Sequence, residues 1–151
     1  MNNFIEEKDV TTINLAVDLE RAVIEHSLDE DNSIYVSEDG WYPFWISVLE
    51  SAGFVSLKTH CNFKKSTSHA QRLELCNELN KNNYLFTAYV MEDRLMFDYV
   101  LNFRDGLLRE TFIRTCRQFS SRIERGLNKV DADNDFVLLP GTSEPEDESS
   151  Q

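Results

Sequence analysis

Hydrophobic positions recur with two different periods along the chain, and each change of period marks the edge of an element. From Thr11 to Leu28 the residues Ile13, Leu15, Ala16, Val17, Leu19, Val23, Ile24 and Leu28 cover most of a helix circumference. Only Asn14, Asp18, Arg21 and Glu25 form a polar stripe, which predicts a first helix buried on several sides. Asp29 to Asn32 ends it. A short strand follows at Ser33 to Ser37, a turn at Glu38 to Gly40, and a second strand at Pro43 to Leu49 with Phe44, Ile46 and Val48 on one face. Gly53 separates this from Phe54 to Phe63, where Val55, Leu57, Thr59 and Cys61 alternate with Ser56, Lys58, His60 and Asn62.

Helical spacing returns at Leu73, Cys76 and Leu79, with a Ser/Thr-rich start and an asparagine-rich end, so a second helix is predicted from Ser68 to about Lys81. Two strands, Leu85 to Met91 and Arg94 to Phe103, are joined only by Glu92 and Asp93 and must form an antiparallel hairpin. Asp105 and Gly106 turn the chain into a last helix, Leu107 to about Lys129. Its apolar stripe is Leu108, Phe112, Ile113, Cys116, Phe119, Ile123 and Leu127, with Arg114, Arg117, Arg122 and Arg125 largely opposite. The predicted order is α-β-β-β-α-β-β-α, an α+β domain with a five-stranded, mostly antiparallel sheet and flanking helices.

Both ends lack this periodicity. Residues 1–9 are expected to be a flexible N-terminus, residues 10–130 a single domain, and residues 131–151 an acidic, disordered tail interrupted by one apolar knot, Phe136 to Leu139. That tail is expected to be dispensable for folding. The start of the chain, acidic and without a long apolar run, does not read as a signal peptide, and nothing approaches the length of a membrane span. Three cysteines cannot all pair, so reduced thiols in a cytoplasm are expected.

Charge changes the picture further. Residues 1–50 hold twelve acids and two bases, residues 51–130 eight acids and thirteen bases, and residues 131–151 seven acids and no base. A net charge of −12 opposes binding to nucleic acid and anionic membranes, leaving proteins as the expected partners.

No assembled chemistry stands out. His60, Cys61, His69 and Cys76 raise a zinc site, but His60 and Cys61 are strand neighbours that point to opposite faces, and no Cys-x-x-Cys pair starts a site. The cysteines sit at apolar-pattern positions, where a thiol stays inert. Glu92 and Asp93 occupy a turn in which acids are ordinary. Asp98, between Phe97 and Tyr99, is odder: it can face solvent or, with Tyr99 and Trp45, line a polar pocket for a small molecule. None of the five glycines builds a phosphate-binding loop. No metal, cofactor or catalytic residue is therefore expected.

The segment from Cys76 to Glu124, CNELNKNNYLFTAYVMEDRLMFDYVLNFRDGLLRETFIRTCRQFSSRIE, resembles the C-terminal half of the YbjN-like family of bacterial sensory-transduction regulators. In that family a helix ending in a pattern like LNxxN meets a two-strand hairpin, an acidic or glycine turn and a long amphipathic helix. The matching positions here are Leu75 to Asn80, the strands around Tyr89 and Phe97, Asp105 with Gly106, and the helix from Leu107. The family often carries a tryptophan near the helix end, where this chain has Glu78 and Leu79. The resemblance implies a fold like that of type III secretion chaperones and supplies no catalytic motif. Asn80, Asn82 and Asn83 are then a joint between helix and strand, using unusual backbone angles and side-chain amides.

The expected function is a non-enzymatic, protein-binding regulator or chaperone-like module. The alternatives are a dedicated secretion chaperone binding an effector, or a small-molecule sensor or enzyme using the pocket near Asp98. The expected partner surface combines the second hairpin face, with Phe86, Val90, Met96 and Val100, and the basic helix face, with Arg114, Arg117 and Arg125. A hairpin with two largely apolar faces needs a second cover, so a homodimer is expected.

Overall fold

The computed structural model describes residues 2–145. Its helices are α1 (Thr12–Arg21), α2 (His69–Lys81) and α3 (Arg109–Val130), and its strands are β1 (Phe4–Ile5), β2 (His26–Leu28), β3 (Ile34–Val36), β4 (Phe44–Leu49), β5 (Phe54–Asn62), β6 (Thr87–Met91), β7 (Arg94–Asn102) and β8 (Leu107–Leu108). Strands β2-β3-β4-β5-β7-β6 form one sheet in that order, with every neighbouring pair antiparallel. The α+β architecture read from periodicity is the observed one. No helix among the described residues is long and apolar enough to cross a membrane.

The sheet has six strands rather than five, and the extra one comes from the supposed first helix. Thr11 caps α1 by accepting from the Asn14 amide, but the helix stops at Arg21, because Val23 adopts a left-handed φ of 59°. Ile24 then tucks into the core, and His26–Leu28 pairs with β3. The burial of α1 also differs from the expectation. Ile13 and Val17 are exposed, whereas Asp18 from the predicted polar stripe is only 4% exposed and holds both oxygens against Arg109 Nη1, at 2.7 and 2.9 Å. Asp18 of that stripe thus forms a seam that ties α1 to the start of α3. Asp18→Asn keeps the shape but loses the charge-assisted pair, and is expected to cost about 1.5–3 kcal/mol in denaturant unfolding. A cost within about 0.5 kcal/mol, the level of an ordinary surface change, would show that the seam is held by packing alone.

One face of the sheet is the core. Ile34, Phe44, Ile46, Val55, Leu57, Leu95 and Phe97 are fully buried there, and Phe119 of α3 meets Phe44 edge-on at 5.3 Å. Ser68 starts α2 with a capping box, its hydroxyl accepting from the Gln71 amide while the Gln71 side chain accepts from the Ser68 amide.

Both ends are tied down where free ends were expected. Phe4 and Ile5 pair with Leu108 and Leu107, and Ile5 is 1% exposed. Gly106 makes this possible. At its φ of 103° an added Cβ would lie 2.1 Å from Phe4 Cζ. At the other end Asp131 is buried and accepts from the amides of Asp135, Phe136 and Val137. Phe136 to Leu138 then runs antiparallel to the end of β5: Lys64 N donates to Phe136 O at 2.8 Å and Leu138 N to Asn62 O at 2.9 Å. Val137 is 2% exposed within the main core. Residues 146–151 of the expected tail lie outside the described residues.

Candidate partner-binding surface

The asparagine-rich join fixes how the hairpin sits on the helices. Asn80 Nδ2 donates to Ala88 O at 2.9 Å while its Oδ1 accepts from Ala88 N at 2.7 Å, so one side chain satisfies both backbone groups on the outer edge of β6. Asn83 Oδ1 accepts from the amides of Leu85 and Phe86, and its Nδ2 donates to Leu79 O. Asn82 caps the helix through Glu78 O. None of the three has positive φ, so of the two devices expected at this joint the amide side chains are used and the unusual backbone angles are not.

The hairpin register divides the expected partner surface. Ala88 lies opposite Phe97 and Val90 opposite Leu95, so Val90 belongs to the core face. Phe86 is 5% exposed and packs edge-on against Phe97 at 5.0 Å. Neither residue lines an outer surface, contrary to the expectation. Met96 and Val100 do point outward: Met96 sits in register between His60 and Tyr89 and is buried there, while Val100 is 46% exposed.

The outer face therefore has a different composition from the one anticipated. Tyr35 meets Trp45 at 4.9 Å, and the His60 ring stacks on Trp45 at 5.6 Å with 5° between the planes. Burial and the nearby Arg94 charge lower the His60 pKa, which favours a neutral imidazole in the stack. Trp45, Lys58 and Asp98 lie side by side across β4, β5 and β7. The Tyr89 hydroxyl donates to Asp98 Oδ2 at 2.9 Å; burial, and then this bond, push its pKa up to about 12. Asp98 Oδ1 is shielded from solvent without a hydrogen bond, with Lys58 Nζ at 3.9 Å. Tyr99 is opposite Leu57 on the inner face and does not join Trp45 and Asp98. Trp45, Ser47, Ser56, Lys58 and His60 line a shallow depression of about 330 Å³.

The arginines also divide. Arg114, ion-paired to Glu110, and Arg117 share a cleft beside α1, whereas Arg125 is exposed further along α3 and outside it. All three cysteines are free and buried; burial pushes the Cys61 and Cys76 thiols up to about 11 and raises Cys116 further. Such thiols are poor nucleophiles near neutrality. His60 lies on the outer face and Cys61 in the core, so the four zinc candidates do not converge.

Among the described residues the molecule is thus a one-sided α+β sandwich, helices over one sheet face and an open aromatic face on the other. The family model of YbjN, described as "Putative bacterial sensory transduction regulator", matches residues 14–132, and the chain belongs to that family. The crystal structure of YbjN from E. coli, described as "a putative transcription regulator", superposes with a TM-score of 0.70 at 14% identity, covering 85% of this chain and 95% of that one. At that identity the likeness concerns the fold. No curated protein matches the chain.

Proposed function

We propose that this protein is a non-catalytic regulator of the reduced cytoplasm that acts by binding another protein across the open face of its sheet. The observation that carries this reading is the aromatic cluster Tyr35–Trp45–His60 with exposed Val100 and Leu49, on a face that no helix among the described residues covers. Trp and Tyr at the centre of a surface patch are the residue types that most often dominate binding energy. A second copy of the chain is the first partner to test, which keeps the homodimer as part of the proposal. A chaperone for a secreted client is a special case of the same reading, separated from it by the identity of what is bound.

Affinity capture from the native cytoplasm, with light scattering on the purified chain, tests it. Trp45→Ala with Val100→Glu is expected to lose the captured protein or the dimer while leaving the fold intact. An unchanged set of partners and an unchanged mass would remove this face from consideration. The second reading, a small-molecule site near Asp98, rests on the unbonded Asp98 Oδ1 beside Lys58 and the Trp45 depression. A thermal-shift panel of metabolites that moves the wild type but not Asp98→Asn would favour it over protein binding.

A further inference from the structure

The two edges of the sheet are finished differently. Along β6 the side chain of Asn80 takes up both the N–H and the C=O of Ala88, which closes the middle of that edge to another strand. The β2 edge carries no such guard among the described residues. At the two ends of the β2–β3 pairing, Ser37 N donates to Glu25 O at 3.0 Å and Asp29 N to Ser33 O at 2.9 Å. Antiparallel bonding alternates, so Ser27 is also turned to β3, while the N–H and C=O groups of His26 and Leu28 point away from the sheet. Among the described residues no strand lies beyond β2, and no side chain bonds those four groups.

Charge decides what kind of strand fits there. Residues 22–40 hold six acids and no lysine or arginine. Glu25 precedes β2, Asp29, Glu30 and Asp31 follow it, and the Glu38 carboxylate reaches back to accept from the Glu25 amide. Glu25, Glu30 and Asp31 are exposed. A second copy of the chain is a poor occupant, because antiparallel pairing about Ser27 sets Glu25 against Asp29 of that copy, like charges facing across the ladder. An extended segment with bases at both ends is complementary instead. Glu25 and Asp29 lie about 13 Å apart along a strand, so bases four positions apart in the segment meet both. Apolar side chains between those bases meet Leu28, which lies opposite Ile34 and is 49% exposed.

We infer that the open edge of β2 docks an extended, basic segment of a partner protein, which joins the six-stranded sheet as a seventh strand. The backbone groups of His26 and Leu28 supply the pairing, and Glu25, Glu30 and Asp31 select lysine or arginine at the ends of the segment. Main-chain bonds of this kind supply affinity, while the surrounding charge rejects acidic and neutral strands. The inference goes beyond the reading of the aromatic face. An added strand lies in the plane of the sheet, so it leaves the face above Trp45 open.

The test is fluorescence anisotropy of a labelled peptide, KKVTVKK, titrated with the full chain at physiological salt. Saturable binding is expected, and none for the acidic counterpart EEVTVEE. The same basic peptide methylated on both valine nitrogens keeps every charge but cannot donate to the edge, and should bind at least about tenfold more weakly. Glu30→Lys is expected to weaken binding at least about threefold, whereas Glu74→Lys, the same charge change at an exposed position of α2, should alter it by less than about twofold. Leu28→Pro removes one outward N–H without breaking a ladder bond, and should also weaken binding at least about threefold. Unchanged melting temperatures confirm that the variants fold, and Glu30→Lys keeps the test decisive if Leu28→Pro does not. No saturable binding, equal binding of the methylated peptide, or equal losses from Glu30→Lys and Glu74→Lys overturns the proposal. Light scattering that shows a dimer dissolved by Leu28→Pro assigns the edge to a second copy and overturns it too. Trp45→Ala with Val100→Glu is expected to leave peptide affinity within about twofold, so failure at the edge and failure of the face reading are told apart; a larger loss there moves the peptide to the face and sinks the edge.

Discussion

Deletion of the chain from Asp131 onward is expected to lower the melting temperature by roughly 10–20 °C, corresponding to a loss of about 3–5 kcal/mol. The deletion strips Val137, 2% exposed, from the core, and burial of one such side chain contributes about 1.5–3 kcal/mol. It also removes the two strand bonds to Asn62 and Lys64, each with a net contribution of about 0.5–1.5 kcal/mol, and uncovers the end of β5. The ordering of a short segment offsets part of this gain. Val137→Asp in the full chain should reproduce much of the loss, since it places a charge among Phe63 and its neighbours. Calorimetry of both proteins checks the argument. A melting temperature within about 2 °C of the full chain's would show that this segment rests on the body without stabilising it.

Composition hides this segment because it averages over a window. Seven acids in twenty-one residues describe a solvated tail, yet one buried valine and one capping carboxylate are enough to dock it. Asp131 looks like one more solvating charge in the sequence, and its bonds to three successive amides appear only when the chain turns back. The apolar knot at Phe136 to Leu139 was the visible signal.

Elsewhere, legibility followed how local the determining forces are. The Ser/Thr cap of α2, the two-residue turn before β7 and the stripe of α3 from Phe112 to Leu127 are decided within a few residues and lie where the pattern puts them. Leu107 and Leu108, expected to open that helix, instead pair with β1 as a strand and leave Leu108 exposed. Nor is the end of α1 decided so locally. Val23, Ile24 and Leu28 suit a helix as well as a strand, and it is pairing with β3 that settles the matter. The outer face shows a subtler loss. With Met91 opposite Arg94 across the Glu92–Asp93 turn, Val90 must face Leu95, so parity alone places Phe86, Ala88 and Val90 on the core side. The stack of Tyr35, Trp45 and His60 joins three strands that are distant in sequence, and no local pattern announces it.

Phe119→Ala is expected to destabilise the protein by about 3–5 kcal/mol, the range for emptying an aromatic ring from a packed interior. Phe119 has no exposed surface and stands in the middle of α3, with Phe112, Cys116 and Ile123 equally buried along the same stripe. Its ring meets Phe44 of β4 at an interplanar angle of 77°, an edge-to-face contact that joins the long helix to the sheet. Phe44 belongs to a strand hydrogen-bonded on both sides, so the sheet cannot readily collapse into the void. Arg117→Ala, two residues away and facing solvent, is expected to change stability by no more than about 0.5 kcal/mol. Paired urea titrations read both costs in one experiment. Equal small losses would mean that helix and sheet are held together by the remaining stripe and that the Phe44–Phe119 contact is incidental; a loss near the top of the range would show that this end of the interior does not relax at all.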